Sequence, residues 1–442
     1  MKARERVAGW GNVIASEDAV VYRPERFASA KQIIEECADK TYLPVGNLRS
    51  YGDVCVNGSG AHVRMRRLNR ILNFDKETKI VTVEAGLTMS ELSDFAISKK
   101  CLPPVVPGTG FCTVGGAIGN DIHGKNHENS GTFTDHVVAF DLLTADGKVQ
   151  TVTPESDPKL FYATAGGLGL TGVILSVSLK LKKAESGTLK VKRQQMPNLT
   201  ALMDGLSQIK DDYSVAWIDA LADGQSLGRG VLETAHSVGI EVPYDAPEPT
   251  SVPFYMPSFL LNKYSVKLFN YFYYNRAEAC DRETFEDYRR FCFPLDAIKH
   301  WNRLYGKKGF YQFQCVLPEE TAEKTLRAIL KRCSKSGAAS FLAVLKKFGA
   351  EGKGMLSFPR PGFTLALDFP NKKGVVAMLK EFEAMTIAAG GRVYLAKDAL
   401  MSPESFEKMY PHKNEFLEVV SRVNPEALFT SNAAKRLRLN VK

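Results

Sequence analysis

Five glycines, Gly108, Gly110, Gly115, Gly116 and Gly119, fall within the twelve residues 108–119 of a 442-residue chain, and a second stretch, PVGNLRSYGD at 44–53, carries two more. Neither stretch has apolar periodicity, so both belong outside regular helices and strands. Glycine has no Cβ to keep a ligand away, so the backbone N–H groups of such loops can reach an anion, and a diphosphate is the natural guest. The spacing matches neither G-x-x-x-x-G-K-[ST] nor a strand-borne G-x-G-x-x-G, which argues against a P-loop and against a nicotinamide dehydrogenase. A tight structural loop is the other reading of glycines this dense. Two such loops, one on each side of a strand and a helix, favour the anion.

Between the loops, KIVTVEAG (79–86) reads as a strand, and Thr88-Met-Ser-Glu91 has the spacing of a capping box that opens a helix. HVVAFDLLTADGKVQTVTP reads as a hairpin around Asp146-Gly147, and LSVSLKLK places Leu175, Val177, Leu179 and Leu181 on one face. After about Ala184, MPNLTALMDGLSQI, TAEKTLRAILKRCSKSG and GVVAMLKEFEAMTIAAGG read as amphipathic helices, while YSVAWIDAL, GFYQFQCVLP and GFTLALDFP read as strands. The fold class expected is α+β, and the length exceeds what one core usually serves, so two domains are expected. Residues 242–277 begin Pro-rich and continue with dense aromatics and lysines. They predict a mobile flap or a membrane-touching loop, with a packed helix as the alternative for the second half.

A hydrophobic fraction of 44% suits a soluble protein, and no stretch approaches the roughly 20 apolar residues that cross a bilayer. The start, MKARERVAGWGNV, has no apolar segment behind its basic residues, so no signal peptide and a cytoplasmic location are expected. Eight cysteines without a C-x-x-C pair argue against a zinc knuckle or a redox pair, and no metal site is expected. The net charge of +9 suits an anionic partner such as a phosphate ester, nucleic acid or acidic lipid surface, and equally a surface kept soluble by charge.

The stretches PVGNLRSYGD, PGTGFCTVGGAIGNDIHGKNH, DLLTADG, GGLGLTGVI and VNPEALFTSNAAKRL together resemble the PCMH-type FAD-binding domain of the vanillyl-alcohol oxidase superfamily. The resemblance continues through YSVAWIDAL, Trp301-Asn302-Arg303, GFYQFQCVLP, SFPRPGF, LDFP and GGRVYLAKD, and is strongest to the branch that oxidises polyprenyl-phosphoryl ribose. It implies a two-domain fold: an FAD-binding domain at 1–186 with a C-terminal return at 392–442, and a separate α+β substrate domain at 187–391 that contains the 242–277 flap.

The resemblance also implies a site. Pro44, Val45, Gly46, Asn47, Leu48, Arg49, Ser50, Tyr51, Gly52 and Asp53 would form the first diphosphate loop, and Gly108 with Thr113, Val114, Gly115 and Gly116 the second. Asn120, Asp121, Ile122 and His123 would run beside the flavin, Ile174 would touch the adenine side, and Tyr394 and Lys397 would approach the isoalloxazine. Arg49 stands where many relatives carry the histidine that tethers FAD, so the flavin is expected to be non-covalent. Lys125, Trp217, Tyr305, Gln312, Gln314, Lys346, Ala366 and Lys397 would line the substrate pocket. Gln312 and Gln314, two apart on a strand, share a face, and an exposed sheet face is their alternative reading; Trp217 and Tyr305 are equally core aromatics. Mycobacterial members carry cysteine and asparagine where this chain has Ala366 and Thr364, so one pocket wall differs.

Oxidation of a secondary alcohol needs a hydride acceptor, here the flavin, and a group to take the hydroxyl proton. His123 and Tyr51 are the candidates for the proton, and Lys397 is placed to offset developing negative charge. The activity implied is oxidation of the C2 hydroxyl of a polyprenyl-phosphoryl ribose to the 2-keto sugar. An NAD(P)H-dependent short-chain reductase would be the partner that completes epimerisation to the arabinose form for arabinan, at the inner face of the membrane and without nucleic acid. A different sugar, an aldonolactone or another lipid-linked glycoside is the second hypothesis. A non-catalytic basic protein binding membranes or nucleic acid is the third.

Overall fold

The structure is a computed structural model that describes residues 2–36, 41–243, 250–257, 259–278, 283–338 and 341–439. The run IVTVE forms the strand Ile80–Glu84, with Val81 and Val83 buried and Ile80 and Thr82 less so, as β-branched residues on a pleated surface should be. Thr88 then caps the helix Met89–Ser98: its hydroxyl accepts from Glu91 N while the Glu91 carboxylate accepts from Thr88 N, the reciprocal box that the spacing predicts. The strand belongs to a five-stranded antiparallel sheet in the order Ile71–Phe74, Ile80–Glu84, Val173–Lys180, Val137–Leu143, Val149–Val152. Its last two strands are the expected hairpin, turned at Gly147 with φ of +75°.

A four-stranded sheet is ordered Lys2–Ala8, Ala15–Tyr22, Ala61–Arg64, Tyr42–Val45; its first pair is antiparallel and the other two are parallel. The strand Tyr42–Val45 delivers the chain directly into the first glycine loop. The C-terminal segment returns here: Tyr42 N donates to Leu428 O, Thr430 N to Tyr42 O, and Asn432 N to Val56 O.

The largest sheet has eight antiparallel strands, ordered Thr284–Asp287, Thr188–Met196, Gly230–Val238, Tyr213–Ile218, Ala343–Phe348, Gly362–Pro370, Phe310–Leu317, Arg392–Val393. The helices Leu199–Ser207, Glu319–Ser336 and Val375–Ala388 cover one face with buried stripes such as Leu326, Ile329, Leu330 and Cys333. On the other face the register lines up Gln314, Ala366, Val344, Trp217, Val231 and Gln195 in one row across five neighbouring pairings. A period of two puts Gln312 and its partner Asp368 on that face as well. Apolar packing is continuous from Val81 and Phe140 to Leu345 and Phe369, so the five- and eight-stranded sheets share one interior.

Two expectations change. Arg392 and Val393 form the edge strand of the large sheet, and Tyr394 N still donates to Gln314 O of the neighbouring strand at 2.9 Å, so the first residues of the expected C-terminal return stay with this sheet. Residues 263–278 of the expected flap take the form named as its alternative, the helix Lys263–Glu278 laid on the glutamine-bearing face, with Val266 and Asn270 buried, Asn270 Nδ2 donating to Asp219 Oδ1 at 2.7 Å and the Tyr273 ring 4.7 Å from Trp217. Upstream, Thr250–Ser251 pairs with Ile298–Lys299, and the Arg303 guanidinium donates to the Val252 and Pro253 carbonyls. Residues 244–249 and 258 of the expected flap lie outside the described residues. Among the described residues no helix is long and apolar enough to cross a membrane.

Candidate active site

The two glycine stretches meet. A Cβ at Gly46 would lie 2.1 Å from Thr113 Oγ1, and Thr113 caps the helix Val114–Gly119 by accepting from Gly116 N at 3.2 Å. Asn47 Nδ2 closes the contact by donating to Phe111 O at 3.1 Å. No described residue accepts a hydrogen bond from the N–H groups of Gly46, Asn47, Leu48, Arg49 or Ser50, five consecutive donors in a loop turned by Leu48 at φ of +54°. The Arg49 guanidinium is stacked between Trp10 and Phe111, 4.1 and 4.8 Å from the ring centroids, and its buried Nε has no partner. Unspent backbone donors, a cation without a full set of acceptors and a glycine at the closest approach are what a diphosphate needs, so the residues present fit FAD. Arginine cannot form the histidyl tether.

The second loop is corrected in one respect. Val114 N and Gly115 N each donate at 2.8 Å to the carbonyls of Leu87 and Ala85, and Gly116 N is spent on Thr113, so these N–H groups are not free for an anion. Gly115 is there for packing, since a Cβ would sit 3.0 Å from Ala85 Cβ. The open position is Gly108, where a Cβ would meet nothing within 4 Å. Two acids are tied into the fold: both oxygens of Asp53 accept from Arg436, at 2.7 and 2.9 Å, and Oδ2 of the buried Asp121 accepts from Ser357 while its Oδ1 has no partner among the described residues.

Beyond the loops, the 120–126 segment lies against the bare face of the large sheet. Ser214 N donates to Lys125 O at 2.7 Å, and Lys346 Nζ approaches Gly124 O at 3.4 Å. Gln314 Nε2 donates to His123 Nε2 at 3.1 Å, which puts the imidazole proton on Nδ1, and lies 3.3 Å from Thr364 Oγ1. Phe348, Tyr394 and Phe358 surround the imidazole with ring centroids 4.8, 5.2 and 5.5 Å away. Tyr394 is fixed by its hydroxyl, which donates to Asn120 O at 2.9 Å. Ser50 Oγ lies 3.5 Å from Asn120 Oδ1, which brings the first loop to this segment.

At the other end of the same face, Lys397 Nζ sits 3.6 Å from the centroid of the Tyr51 ring, and that ring meets Phe310 edge-on at 5.5 Å. Gln312 Nε2 donates to Asp368 Oδ1 at 2.6 Å, and Tyr305 Oη donates to Asp368 Oδ2 at 3.1 Å. Lys125 Nζ donates to Phe291 O at 2.6 Å. Gln314 is buried and Gln312 half-buried, so this is not an exposed sheet face, and Ala366 is the direct cross-strand partner of Gln314. Trp217 lies farther along the row, its Nε1 donating to Phe341 O at 2.9 Å under Tyr273. Ile122 and Ile174 are buried in the large apolar cluster.

Burial governs the charges here. It pushes His123 well below its ordinary 6.5, helped by Lys346, His127 and Lys397, and it raises Tyr51 well above 10, helped by Asp368. Burial thereby favours the neutral form of both groups, which for His123 is the form able to accept a proton and for Tyr51 is not. Burial also lowers Lys346 to about 7, with Lys125 and Lys397 adding repulsion, and lowers Lys397 to about 7 against the fields of Asp368 and Cys112. Lys125 is lowered by burial too, while Asp368 is raised to about 7 against its Gln312 hydrogen bond, Lys397 and Tyr305. Asp368 escaped the sequence reading, although it is the single charged residue in the strand Gly362–Pro370. Among the described residues no group of three His, Cys, Asp or Glu side chains is arranged to hold a metal ion.

Comparison with known proteins places the chain in a family. Residues 19–153 match the family described as FAD binding domain. The chain is 35% identical to decaprenylphosphoryl-beta-D-ribose oxidase of Mycolicibacterium smegmatis, with 98% of each chain covered. It is 34% identical to an uncharacterized protein of Streptomyces coelicolor over 80% of this chain and all of that one, and 24% identical to L-gulonolactone oxidase of Mus musculus over 97% of both.

Proposed function

The chain belongs to the family of FAD-dependent oxidases that includes decaprenylphosphoryl-beta-D-ribose oxidase, and we propose that it oxidises the C2 hydroxyl of a polyprenyl-phosphoryl ribose to the 2-keto sugar. It is an FAD-binding oxidoreductase. The observation that carries the substrate reading is the trio Lys125, Lys346 and Lys397 facing one cleft around Gln314 and His123, with burial working against the charge of each. Buried cations short of counter-charge gain most from an anionic guest, which a phosphoryl sugar supplies and a neutral lactone does not.

FAD, when bound, would supply the hydride acceptor that oxidation of the hydroxyl-bearing carbon requires. Gly46 to Ser50 would hold its diphosphate through their free N–H groups, beside Arg49. Lys125 and Lys346 bind the substrate phosphate, and Gln312 and Gln314 orient the sugar hydroxyls from one strand face. His123 and Tyr51, both neutral, act as hydrogen-bond partners, and the rings of Phe348, Phe358 and Tyr394 keep water from the reacting carbon. Lys397 supplies positive charge where the site becomes more negative during oxidation.

This reading uses a two-domain PCMH-type arrangement, in which the 1–186 region and the C-terminal return hold FAD and the eight-stranded sheet forms the substrate domain. It places the protein in the cytoplasm, touching the inner face of the membrane through the aromatic residues of 254–273. The 2-keto product passes to an NAD(P)H-dependent short-chain reductase for conversion to the arabinose form.

The test is anaerobic mixing of the FAD-loaded protein with polyprenyl-phosphoryl ribose and, separately, with L-gulonolactone. Bleaching of the visible flavin band by the lipid-linked ribose, with one 2-keto sugar formed per flavin, supports the reading. Bleaching by the lactone alone would replace it with the lactone oxidase alternative. Lys397→Met should slow the bleaching roughly 10²-fold with FAD content little changed.

A further inference from the structure

We propose that Asp296 is a positioning residue of the cofactor site: it fastens the segment 293–305 to the two aromatic rings on which Arg49 rests, and this brace slows the release of non-covalently bound FAD. The inference rests on the reading of 44–53 as the diphosphate loop and not on the identity of the sugar.

The first loop does little to hold its own shape. The N–H groups of Gly46 to Ser50 have no acceptor among the described residues, and Leu48 sits at a φ of +54°. The Arg49 guanidinium rests on two rings, Trp10 at 4.1 Å and Phe111 at 4.8 Å, and its buried Nε has no partner. Two of the loop's outside hydrogen bonds run to the same two residues: Trp10 N donates to Ser50 O at 2.7 Å, and Asn47 Nδ2 donates to Phe111 O at 3.1 Å. The geometry of the loop therefore depends on where Trp10 and Phe111 are kept.

Both are gripped by one segment, which leads into the strand Phe310–Leu317. Asp296, in the short 3-10 helix Pro294–Ala297, accepts from Thr109 Oγ1 at 2.7 Å and from Gly110 N at 2.6 Å. Thr109 Oγ1 in turn accepts from Phe111 N at 3.2 Å, so the carboxylate reaches Phe111 through one hydroxyl. A Cβ at Gly110 would lie 3.2 Å from the Phe293 ring, which leaves the second loop no room to slide under the segment. Farther along, the Trp301 ring meets Trp10 edge-on at 5.6 Å, and Asn302 Nδ2 donates to Trp10 O at 3.3 Å.

Pro294, Ala297, Ile298, Lys299 and His300 are exposed, while Asp296 among them is half-buried and gives both oxygens to the second loop. Hydrogen bonds to a carboxylate are roughly twice as strong as neutral ones, so this one side chain is the firmest hold the segment has on the loop. The segment ends at Tyr305, stacked 4.1 Å from Phe310 in a cluster with Tyr51 and Trp301. Removing Asp296 would leave the donors of residues 46–50 in place and take away what keeps them in one arrangement. The loss of such preorganisation appears mainly in the rate of release.

FAD release is measured without turnover and without sugar. The FAD-loaded protein is diluted below its affinity for FAD, and the rise of flavin fluorescence gives the dissociation rate for the wild type, Asp296→Ala, Thr109→Val, Thr109→Ser, the Asp296→Ala/Thr109→Val double variant and Phe111→Leu. Asp296→Ala and Thr109→Val should each release FAD about tenfold faster, the lower end of what a hydrogen bond to a charged group is worth. The double variant should be no faster than Asp296→Ala, because both changes break the same contact. Thr109→Ser keeps the hydroxyl and should release FAD at the wild-type rate.

Wild-type release from Asp296→Ala overturns the proposal. Should that variant fail to take up FAD, equal rates in Thr109→Val and Thr109→Ser overturn it in the same way. A wild-type rate in Phe111→Leu would remove the ring beside Arg49 from the FAD site, and the brace with it. Fast release from Phe111→Leu beside wild-type release from Asp296→Ala would sink the brace alone and leave the cofactor reading intact. Variants that release FAD as expected, in a protein whose flavin lipid-linked ribose cannot bleach, would remove the substrate reading and leave the role of Asp296 standing.

Discussion

Replacing Gly46 with alanine tests the junction on which the cofactor reading depends. The new methyl would lie 2.1 Å from Thr113 Oγ1 and 3.1 Å from both Thr113 Cβ and Cγ2, far inside ordinary contact. Thr113 cannot simply rotate away, because it is 2% exposed and its hydroxyl caps the helix Val114–Gly119. Either the cap breaks, at about 1 kcal/mol, or the loop moves, at an overpacking cost of about 1–3 kcal/mol. Gly46→Ala should therefore destabilise the protein by roughly 1–3 kcal/mol, and Thr113→Ala by about 1 kcal/mol through the lost cap alone. In the double variant the methyl occupies the space left by the hydroxyl and Cγ2, so the total should fall short of the sum by about 1–2 kcal/mol, within the range of coupled neighbours. Urea unfolding of the four proteins gives this cycle, and flavin fluorescence titration should rank FAD affinity in the order wild type, double variant, Gly46→Ala. Strictly additive costs, or a Gly46→Ala protein as stable as wild type, would refute the contact between the loops.

Three further outcomes follow from the same geometry. Because arginine occupies the tethering position, acid or heat should release all FAD into the supernatant; flavin retained on the precipitated polypeptide would contradict this. His62 and His127 are buried and lowered to about 4 from 6.5, so between those values the unfolded chain binds more protons than the native one. Stability should thus be complete above about pH 6.5 and fall as the pH drops toward 4, with roughly 2 kcal/mol lost per histidine by about pH 5; a urea midpoint that is the same at both ends of this range would disprove it. Phe259, Tyr264, Leu268 and Phe272 are 70%, 82%, 59% and 63% exposed alongside Lys263 and Lys267, so the protein should sediment with anionic liposomes in a salt-sensitive way. Exchanging Phe259, Leu268 and Phe272 for serine should weaken that binding without altering the bound-flavin spectrum, and unchanged binding would exclude this surface.

What the sequence reveals of this fold divides along the range of the forces involved. The Thr88 box and the Gly147 turn are decided within four residues, and both form as their spacing predicts. The helix Lys263–Glu278 is hard to read from sequence because most of its apolar rings face outward, while Val266 and an asparagine held by Asp219, 51 residues away, are what it buries. No apolar stripe marks such a helix. The glycines at 115 and 116 have the composition of an anion cradle, yet the carbonyls that consume the N–H groups of Val114 and Gly115 belong to Ala85 and Leu87 beside an adjacent strand, a pairing that only the tertiary structure sets. The same limit applies to the chemistry of the site. Residue type nominates Lys397, His123 and Tyr51, but their charge states follow from burial and from neighbours, Lys346 and Lys397 for His123 and Asp368 for Tyr51 and Lys397, and the meeting of Asp368 with Gln312 depends on strands 310–317 and 362–370 pairing in one register. Shifting that register by one residue would turn Asp368 to the face covered by the helices and part it from Gln312. The pairing of those two strands therefore determines the electrostatics of the cleft as much as any side chain within it.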